Sequence, residues 1–274
     1  MKVLPFIKMH GLGNDYVYID CFQPATAALL AHTDIAALAR RISDRHLGVG
    51  SDGLVLIMPA RKADVRMRMF NADGSEAQMC GNAARCVAKY AYEHDLCANP
   101  MTLETASGVR RLWMELSASQ RVNNVMVEMV VPEINRRTLT LGSEVQAYIY
   151  VNIGNPHAVI FVDQLPNDQT LNTLGPLWEK HPDFPEGTNV EFVQMLNPHE
   201  LRMRVWERGT GETMACGTGA CAAAVAAMRL GKAERELTVH LRLGDLYIQW
   251  PADDKPVYLT GPATEVYRGE YFME

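Results

Sequence analysis

The sequence predicts an α+β fold of two pseudo-twofold-related domains, each a mostly antiparallel sheet wrapped around a central helix, and three observations carry that reading. The chain is written twice: "VRMRMFNADGSEAQMCG" at 65–81 lies without a gap on "LRMRVWERGTGETMACG" at 201–217, a constant offset of 136 residues. Arg66/Arg202, Met67/Met203, Arg68/Arg204, Glu76/Glu212, Cys80/Cys216 and Gly81/Gly217 are identical pairs, and Phe70 matches Trp206. Such self-similarity marks two structurally equivalent units. Upstream, "GNDYVYID" from Gly13 echoes "GNPHAVIFVD" from Gly154, each a Gly-Asn turn running into an apolar strand that ends in Asp. The remaining two observations are a preponderance of β-rich runs between Gly, Pro and Asn turns, and a Cys-Gly pair at the mouth of an alanine-rich helical run in each half.

Taken in order, "YVYID" reads as a strand, followed by a helix in "TDIAALARRISDRHLG". Thr33 is its expected N-cap, Ile35, Leu38 and Ile42 form its apolar face, and Gly48 is its expected stop. After Cys80 comes the helix "GNAARCVAKYAYEH"; "VMVEMVV", "AYIYVNIG", "AVIFV" and "LRMRVW" then read as strands. After Cys216 comes "GTGACAAAVAAMRLG", apolar nearly all round and stopped by Gly231, the pattern of a helix buried inside a sheet. "LTVHLRL" and "LYIQW" are further strands. The expected domains are 1–126 with Cys80, completed by a C-terminal strand at 263–274, and 127–262 with Cys216, the halves meeting near "VVPEINRR" and the active site lying in the cleft between them.

Bulk properties narrow the function. The chain has 274 residues, 48% of them apolar, enough for two ordinary cores. A net charge of −6 without a Lys/Arg cluster gives no electrostatic reason to bind nucleic acid, while a small anionic or zwitterionic molecule can still be held by a few local groups. No apolar run reaches the length of a membrane span, and "MKVLPFIKMHGLGND" is too short in its apolar part for a signal peptide, so a cytoplasmic location is expected. The six cysteines (21, 80, 86, 97, 216 and 221) lack the density of a disulfide scaffold and the Cys-x2-Cys spacing of a zinc site. Reduced thiols and no metal are the expectation. Neither G-x-G-x-x-G after a strand nor G-x-x-x-x-G-K-[ST] is present.

A helix N-terminus presents unpaired N–H groups and partial positive charge, so it binds carboxylates and favours thiolate over thiol. That dipole alone lowers a thiol from about 8.5 to roughly 7–8, suited to a pair in which one sulfur accepts a proton and the other donates one. Removing the α-hydrogen of an amino acid on one face and returning a proton on the other inverts the centre. A carboxylate held between helix termini stabilises the charge that develops. The expected chemistry is therefore cofactor-independent racemisation or epimerisation by Cys80 and Cys216.

The ordered set "KMHGLGNDY", "RHLGVGSDG", "FNADGSEAQMCGNAARC", "NIGNPHAV", "GTNVEF", "WERGTGETMACGTGAC" and "LTGPATEVY" resembles the diaminopimelate epimerase family from Lys8 to Tyr267. The resemblance implies that family's two-domain fold, interconversion of LL- and meso-diaminopimelate in lysine and peptidoglycan-precursor synthesis, no metal or pyridoxal, and a homodimer. It makes Cys80 and Cys216 the acid/base residues. Gly81 with Asn82, and Gly217 with Thr218, then hold the reacting carboxylate. Glu207 meets the α-ammonium and, with His157, tunes the thiols. Asn14, Asn71, Asn155, Asn189 and Arg208 match positions around the substrate, and Tyr267 matches a dimer contact. Some family members contact substrate through a Gln where this chain has Gly53, so that contact is not expected. Ala83 stands where a glycine is common, and matters little if the position is helical.

Structural roles compete at several of these positions. Asn14 and Asn155 suit left-handed turns. Glu76 and Glu212 are expected to pair with the repeated arginines, Cys86 and Cys221 to pack inside helices, and His10 and His46 to be structural. Two alternatives stand beside the epimerase reading: a proline or hydroxyproline racemase of the same fold, which usually carries His where Asn82 stands, and a non-catalytic thiol redox switch or small-anion binder.

Overall fold

The structure, a computed structural model, describes residues 2–273. It divides into two compact units, one running to Val127 and resuming at Gly261, the other spanning Glu128–Thr260.

The first unit contains β1 (Lys2–Gly11), β2 (Asn14–Asp20), α1 (Pro24–Leu30), α2 (Ile35–Ser43), β3 (Gly53–Pro59), β4 (Val65–Asn71), the short β5 (Glu76–Ala77), α3 (Gly81–Glu93), β6 (Met101–Thr105), β7 (Gly108–Leu116) and β8 (Val122–Glu128). The second contains β9 (Glu133–Leu141), β10 (Glu144–Asn152), β11 (Pro156–Phe161), α4 (Asp168–Glu179), β12 (Asn189–Asn197), β13 (Glu200–Glu207), β14 (Gly211–Glu212), α5 (Gly217–Arg229), β15 (Glu236–Leu241), β16 (Gly244–Gln249) and β17 (Tyr258–Pro262). The last strand, β18 (Thr264–Met273), belongs to the first unit.

The repeat seen in the sequence is a repeat of topology. In the first unit β2 pairs antiparallel with β1 and parallel with β3, β3 and β4 are antiparallel, and β4 and β6 are parallel. In the second β11 pairs antiparallel with β10 and parallel with β12, β12 and β13 are antiparallel, and β13 and β15 are parallel. The β1–β18 ladder has its counterpart in β10–β9. This is the sheet-dominated α+β architecture expected, with parallel steps only where a helix crosses over.

Each unit keeps one helix inside its sheet. α5 touches β10, β11, β12, β13, β15 and β16, and its alanines 222–224, 226 and 227 are fully buried. Ala and Gly let the strands close on the helix from all sides, as the all-round apolar pattern requires. α3 lies against β1, β4, β6 and β7. Its two inner cysteine positions behave as packing residues: Cys86 and, in α5, Cys221 are fully buried, and burial pushes the Cys86 thiol up to about 11.

Local corrections are instructive. The α2 N-cap is Asp34, not Thr33: its carboxylate accepts from Ala37 N at 3.0 Å, while the Thr33 hydroxyl donates back to Leu29 O at 2.9 Å. α2 ends at Ser43, and the carboxylate of Asp44 takes up the His46 and Leu47 N–H groups before Gly48 is reached. Helices α1 and α4 were not expected; α4 is interrupted in pattern by Gly175 and Pro176. The repeated charge pairs are bidentate, Arg68 with Glu76 at 2.8 and 2.9 Å and Arg204 with Glu212 at 2.8 Å twice.

Candidate active site

In the first unit the site begins at a two-residue turn. Leu12 (φ 55°) and Gly13 (φ 82°) are both left-handed, and Gly11 pairs with Asn14, so β1 and β2 join through a tight hairpin of the type that matches strand twist. The turn delivers Asn14 to the strand mouth. Its amide nitrogen donates to Asp52 Oδ2 at 2.8 Å, and Asp52 is itself held by Arg45 at 2.8 Å. A carboxylate accepts only, so the Asn14 oxygen is turned the other way. There it accepts from Cys80 Sγ at 3.4 Å and Asn82 Nδ2 at 3.2 Å.

Cys80 is the N-cap of α3: its backbone is extended (φ −136°, ψ 122°) and its carbonyl accepts from Ala84 N at 2.9 Å. The N–H groups of the first turn therefore open in front of the half-buried sulfur. A Cβ at Gly81 would meet nothing within 4 Å among the described residues, so the helix start has open space before it. Asn82 is clamped from behind by the fully buried Arg85, whose guanidinium reaches Asn82 Oδ1 at 3.0 Å and Pro262 O at 3.1 Å. Gly11 permits this, since a Cβ there would lie 2.8 Å from the guanidinium. Asn71, at the end of β4, donates instead to Ser75 Oγ at 3.0 Å within its own turn. Gly53 has no room for a side chain: a Cβ would fall 2.0 Å from Phe70 O.

The second unit repeats the frame with different chemistry. Cys216 caps α5, its carbonyl accepting from Ala220 N at 2.9 Å and its sulfur from Gly219 N at 3.3 Å. The sulfur also lies 3.5 Å from Thr218 Oγ1, and Thr218 receives the Asn155 amide nitrogen at 3.3 Å. The Asn155 oxygen faces His157 Nε2 at 3.1 Å, and His157 Nδ1 faces Glu191 Oε1 at 2.6 Å. His157 and Glu191 are completely buried. Parallel pairing of β11 with β12 sets His157 opposite Asn189 and Val159 opposite Glu191, which puts all four on one face.

Glu207, at the end of β13, accepts from Thr213 Oγ1 and hydrogen-bonds the Cys216 thiol. Burial lifts its carboxyl above the ordinary glutamate value, against the pull of the Thr213 hydroxyl, His157 and the thiol. Cys216 overturns the expectation of a thiol lowered by its helix. Burial first, then the Glu207 and Glu191 carboxylates, push it well above its ordinary value, and Thr218 with the Gly219 N–H offsets only part of this. A helix dipole contributes about 0.3–2 kcal/mol, less than the cost of an anion desolvated beside two others.

The two amide positions beyond this cluster are engaged with main chain. Asn189 donates to Pro156 O at 3.0 Å and accepts from Arg208 N at 3.0 Å, tying the starts of β11 and β12 to the end of β13. The exposed Arg208 side chain runs along the 186–187 loop, donating to Glu186 O at 3.1 Å. Tyr267 stands apart on β18, partly exposed, with its ring edge-on to Phe6 at 5.9 Å.

Four residues that organise these clusters escaped the sequence reading: Glu191, Asp52, Arg85 and Thr213. Only Glu191 left a signal, as a lone charge in the apolar run "NVEFV" of a buried strand.

The family model described as diaminopimelate epimerase matches residues 6–132 and 149–266. A curated protein named diaminopimelate epimerase from Pelotomaculum thermopropionicum is 50% identical over 282 residues, covering 97% of this chain and 98% of its own. Another of that name from Methanococcus maripaludis is 45% identical, covering 97% and 99%. Among solved structures, a PhzF-family phenazine biosynthesis protein from Bacillus anthracis shares the fold with a TM-score of 0.75 at 16% identity, all of both chains being covered. A hydroxyproline epimerase from Agrobacterium vitis does so with a TM-score of 0.70 at 15% identity, covering 98% of this chain and 92% of its own.

Proposed function

The chain belongs to the diaminopimelate epimerase family, and from that premise we propose that it interconverts LL- and meso-2,6-diaminopimelate by passing protons at one α-carbon through Cys80 and Cys216. The observation that carries this reading is the duplicated Cys-Gly helix start, 136 residues apart, with different partners around each sulfur. We read the enzyme as a cytoplasmic homodimer that serves lysine and peptidoglycan-precursor synthesis and acts on a small zwitterion.

In this mechanism the substrate α-carboxylate is held by the first-turn N–H groups of α3 at Gly81–Asn82 and of α5 at Gly217–Thr218. Glu207 takes the α-ammonium. One sulfur, as thiolate, removes the α-proton: the C–H bond breaks, an S–H bond forms, and the electron pair passes into the carboxylate. The other sulfur, as thiol, delivers its proton to the opposite face, leaving a thiolate. Helix-start N–H groups are worth most on the carboxylate as this charge builds.

The surroundings of the sulfurs support different starting roles. Cys216 lies with two carboxylates and is held as thiol, whereas Cys80 lies with the uncharged amides of Asn14 and Asn82. Cys216 is therefore taken as the donor in the first direction, and Cys80 accepts in that direction once it has given up the proton that it holds toward Asn14. Arrival of an ammonium at Glu207 cancels one of the charges facing Cys216, which opens the reverse direction. Asn14 and Asn155 present amides beside the two sulfurs, while Asn71, Asn189 and Arg208 contribute at the far end of the substrate.

Proton NMR of LL-diaminopimelate with thiol-reduced protein in D2O tests this. The α-proton signal should disappear as the meso isomer grows, and Cys80→Ala and Cys216→Ala should each abolish epimerisation. An intact protein that leaves the α-proton in place rules the assignment out.

A further inference from the structure

We infer that Glu191 is a positioning residue that, acting through His157, Asn155 and Thr218, aims a hydroxyl proton at the Cys216 sulfur. The inference rests on the reading above that Cys216 exchanges a proton with substrate, and it concerns a residue of which that reading uses only the charge.

The links form one unbroken series within the second unit: Glu191 Oε1 to His157 Nδ1 at 2.6 Å, His157 Nε2 to Asn155 Oδ1 at 3.1 Å, Asn155 Nδ2 to Thr218 Oγ1 at 3.3 Å, and Thr218 Oγ1 to Cys216 Sγ at 3.5 Å. Donor chemistry fixes its direction. An amide oxygen accepts only, so the ring donates to Asn155 through Nε2–H while Glu191 holds Nδ1 from the other side. The Asn155 nitrogen donates only, so Thr218 accepts from it and keeps its own proton for the sulfur. From the ring onward every bond then points toward Cys216. Without the carboxylate at 191 the ring loses the partner that holds it, and Asn155 and Thr218 lose their fixed sense.

Three further observations separate this from a packing role. Glu191 is fully buried, yet its Oε2 meets no hydrogen-bond donor among the described residues. A carboxylate retained for structure alone costs stability in that state, and an apolar side chain like its neighbours Val190 and Phe192 avoids the cost. The repeat also lacks the device: the 136-residue offset puts Val55 where Glu191 stands, and Asn82 where Thr218 stands. Gly219 is shaped to it, because a Cβ there would lie 2.8 Å from Glu191 Oε1 and 3.2 Å from Cys216 Sγ. The groups facing Cys216 are thus Glu207 from β13, Glu191 and, through the relay, His157 from β12 and β11, and Thr218 with the Gly219 N–H from α5 itself.

The test is the rate of Cys216 carboxamidomethylation by iodoacetamide, read peptide by peptide by mass spectrometry at fixed pH below the thiol's midpoint. It needs no substrate, so it stands independently of turnover. Glu191→Gln keeps the shape and removes the carboxylate that holds His157 Nδ1. The charge of Glu191 pushes the Cys216 thiol up while the hydroxyl it aims at the sulfur acts the other way; with the relay the larger of the two, Cys216 alkylation is slowed about tenfold, one pH unit of thiolate stabilisation. Thr218→Val should slow it likewise, and Glu191→Gln should slow it no further in the Thr218→Val background. If Glu191 acts merely as a nearby negative charge, Glu191→Gln speeds alkylation; that result, an unchanged rate, or equal slowing in both backgrounds overturns the inference. Intact protein assayed alongside for epimerisation in D2O keeps the two questions apart: absent turnover rejects the epimerase reading, whereas unshifted alkylation rejects the role of Glu191.

Discussion

At Glu207 a single carboxylate does two jobs with one charge. In the free protein it accepts the Cys216 proton and stands against ionisation of that sulfur; in the proposed complex it meets the ammonium. Glu207→Gln therefore separates the effects. Removing a negative neighbour favours the thiolate, so the pH at which Cys216 becomes reactive to iodoacetamide should move down, the opposite sign to Glu191→Gln. Epimerisation should nonetheless fall by about 10²-fold or more, because the amide cannot balance an ammonium. A downward shift with full activity would show that Glu207 tunes the thiol without binding substrate. Gly219 is a second test at this scale. Its absent Cβ is what lets Glu191 and the Cys216 sulfur share one helix start. Gly219→Ala should destabilise the fold by about 1–3 kcal/mol, seen as a lower midpoint in urea, whereas the equivalent Ala83, also in the first turn of its helix, belongs to the half in which Val55 stands where Glu191 does.

Elements explain which of these features the sequence could announce. α4 packs on β13 so closely that a Cβ on Gly175 would lie 2.4 Å from the Trp206 ring, while Trp206 Nε1 donates to Glu179 Oε2 at 2.7 Å. Glu179 Oε1 in turn takes Gly209 N at 2.8 Å, so the helix anchors the loop that follows Glu207. Gly175→Ala should accordingly cost about 1–3 kcal/mol and lower activity together with the melting temperature; an unchanged melting temperature would mean that α4 can shift without consequence. That helix is illegible in the sequence because adjacent Gly and Pro at 175 and 176 interrupt a helical pattern, and the Trp206 ring lying on Gly175 accounts for the glycine. The cysteines were legible for the opposite reason: duplication showed Cys80 and Cys216 in register before any contact was known. Asn14 and Asn155 were legible as paired turns. Glu191 was not, since its meaning lies in strand register with β11 and in the neighbouring helix start, both of them tertiary facts.

At the scale of the whole molecule, duplication also gives two rim ladders, and their compositions differ. β9, paired with β10, exposes Arg136, Arg137, Thr138 and Thr140, the charged dressing that keeps a strand from pairing with another copy. Its counterpart β18, paired with β1, leaves Val266, Tyr267 and Phe272 at 55%, 44% and 59% exposure, with Val3 opposite Phe272 at 38%. Phe6 fixes the presentation of this surface: its ring occupies the space a Cβ on Gly269 would need and meets the Tyr267 ring edge-on. These exposed apolar side chains alternate with the exposed Arg268 and Glu270, and a patch of this kind is suited to a second copy of itself, since self-pairing about a twofold needs only one such patch. We predict that light scattering on the intact protein at micromolar concentration gives the mass of two chains. Tyr267→Glu and Phe272→Glu, which place like charges against each other in a symmetric contact, should each give the mass of one. A single-chain mass for the unmodified protein would remove β18 as a dimer surface and leave its exposed aromatics without a role.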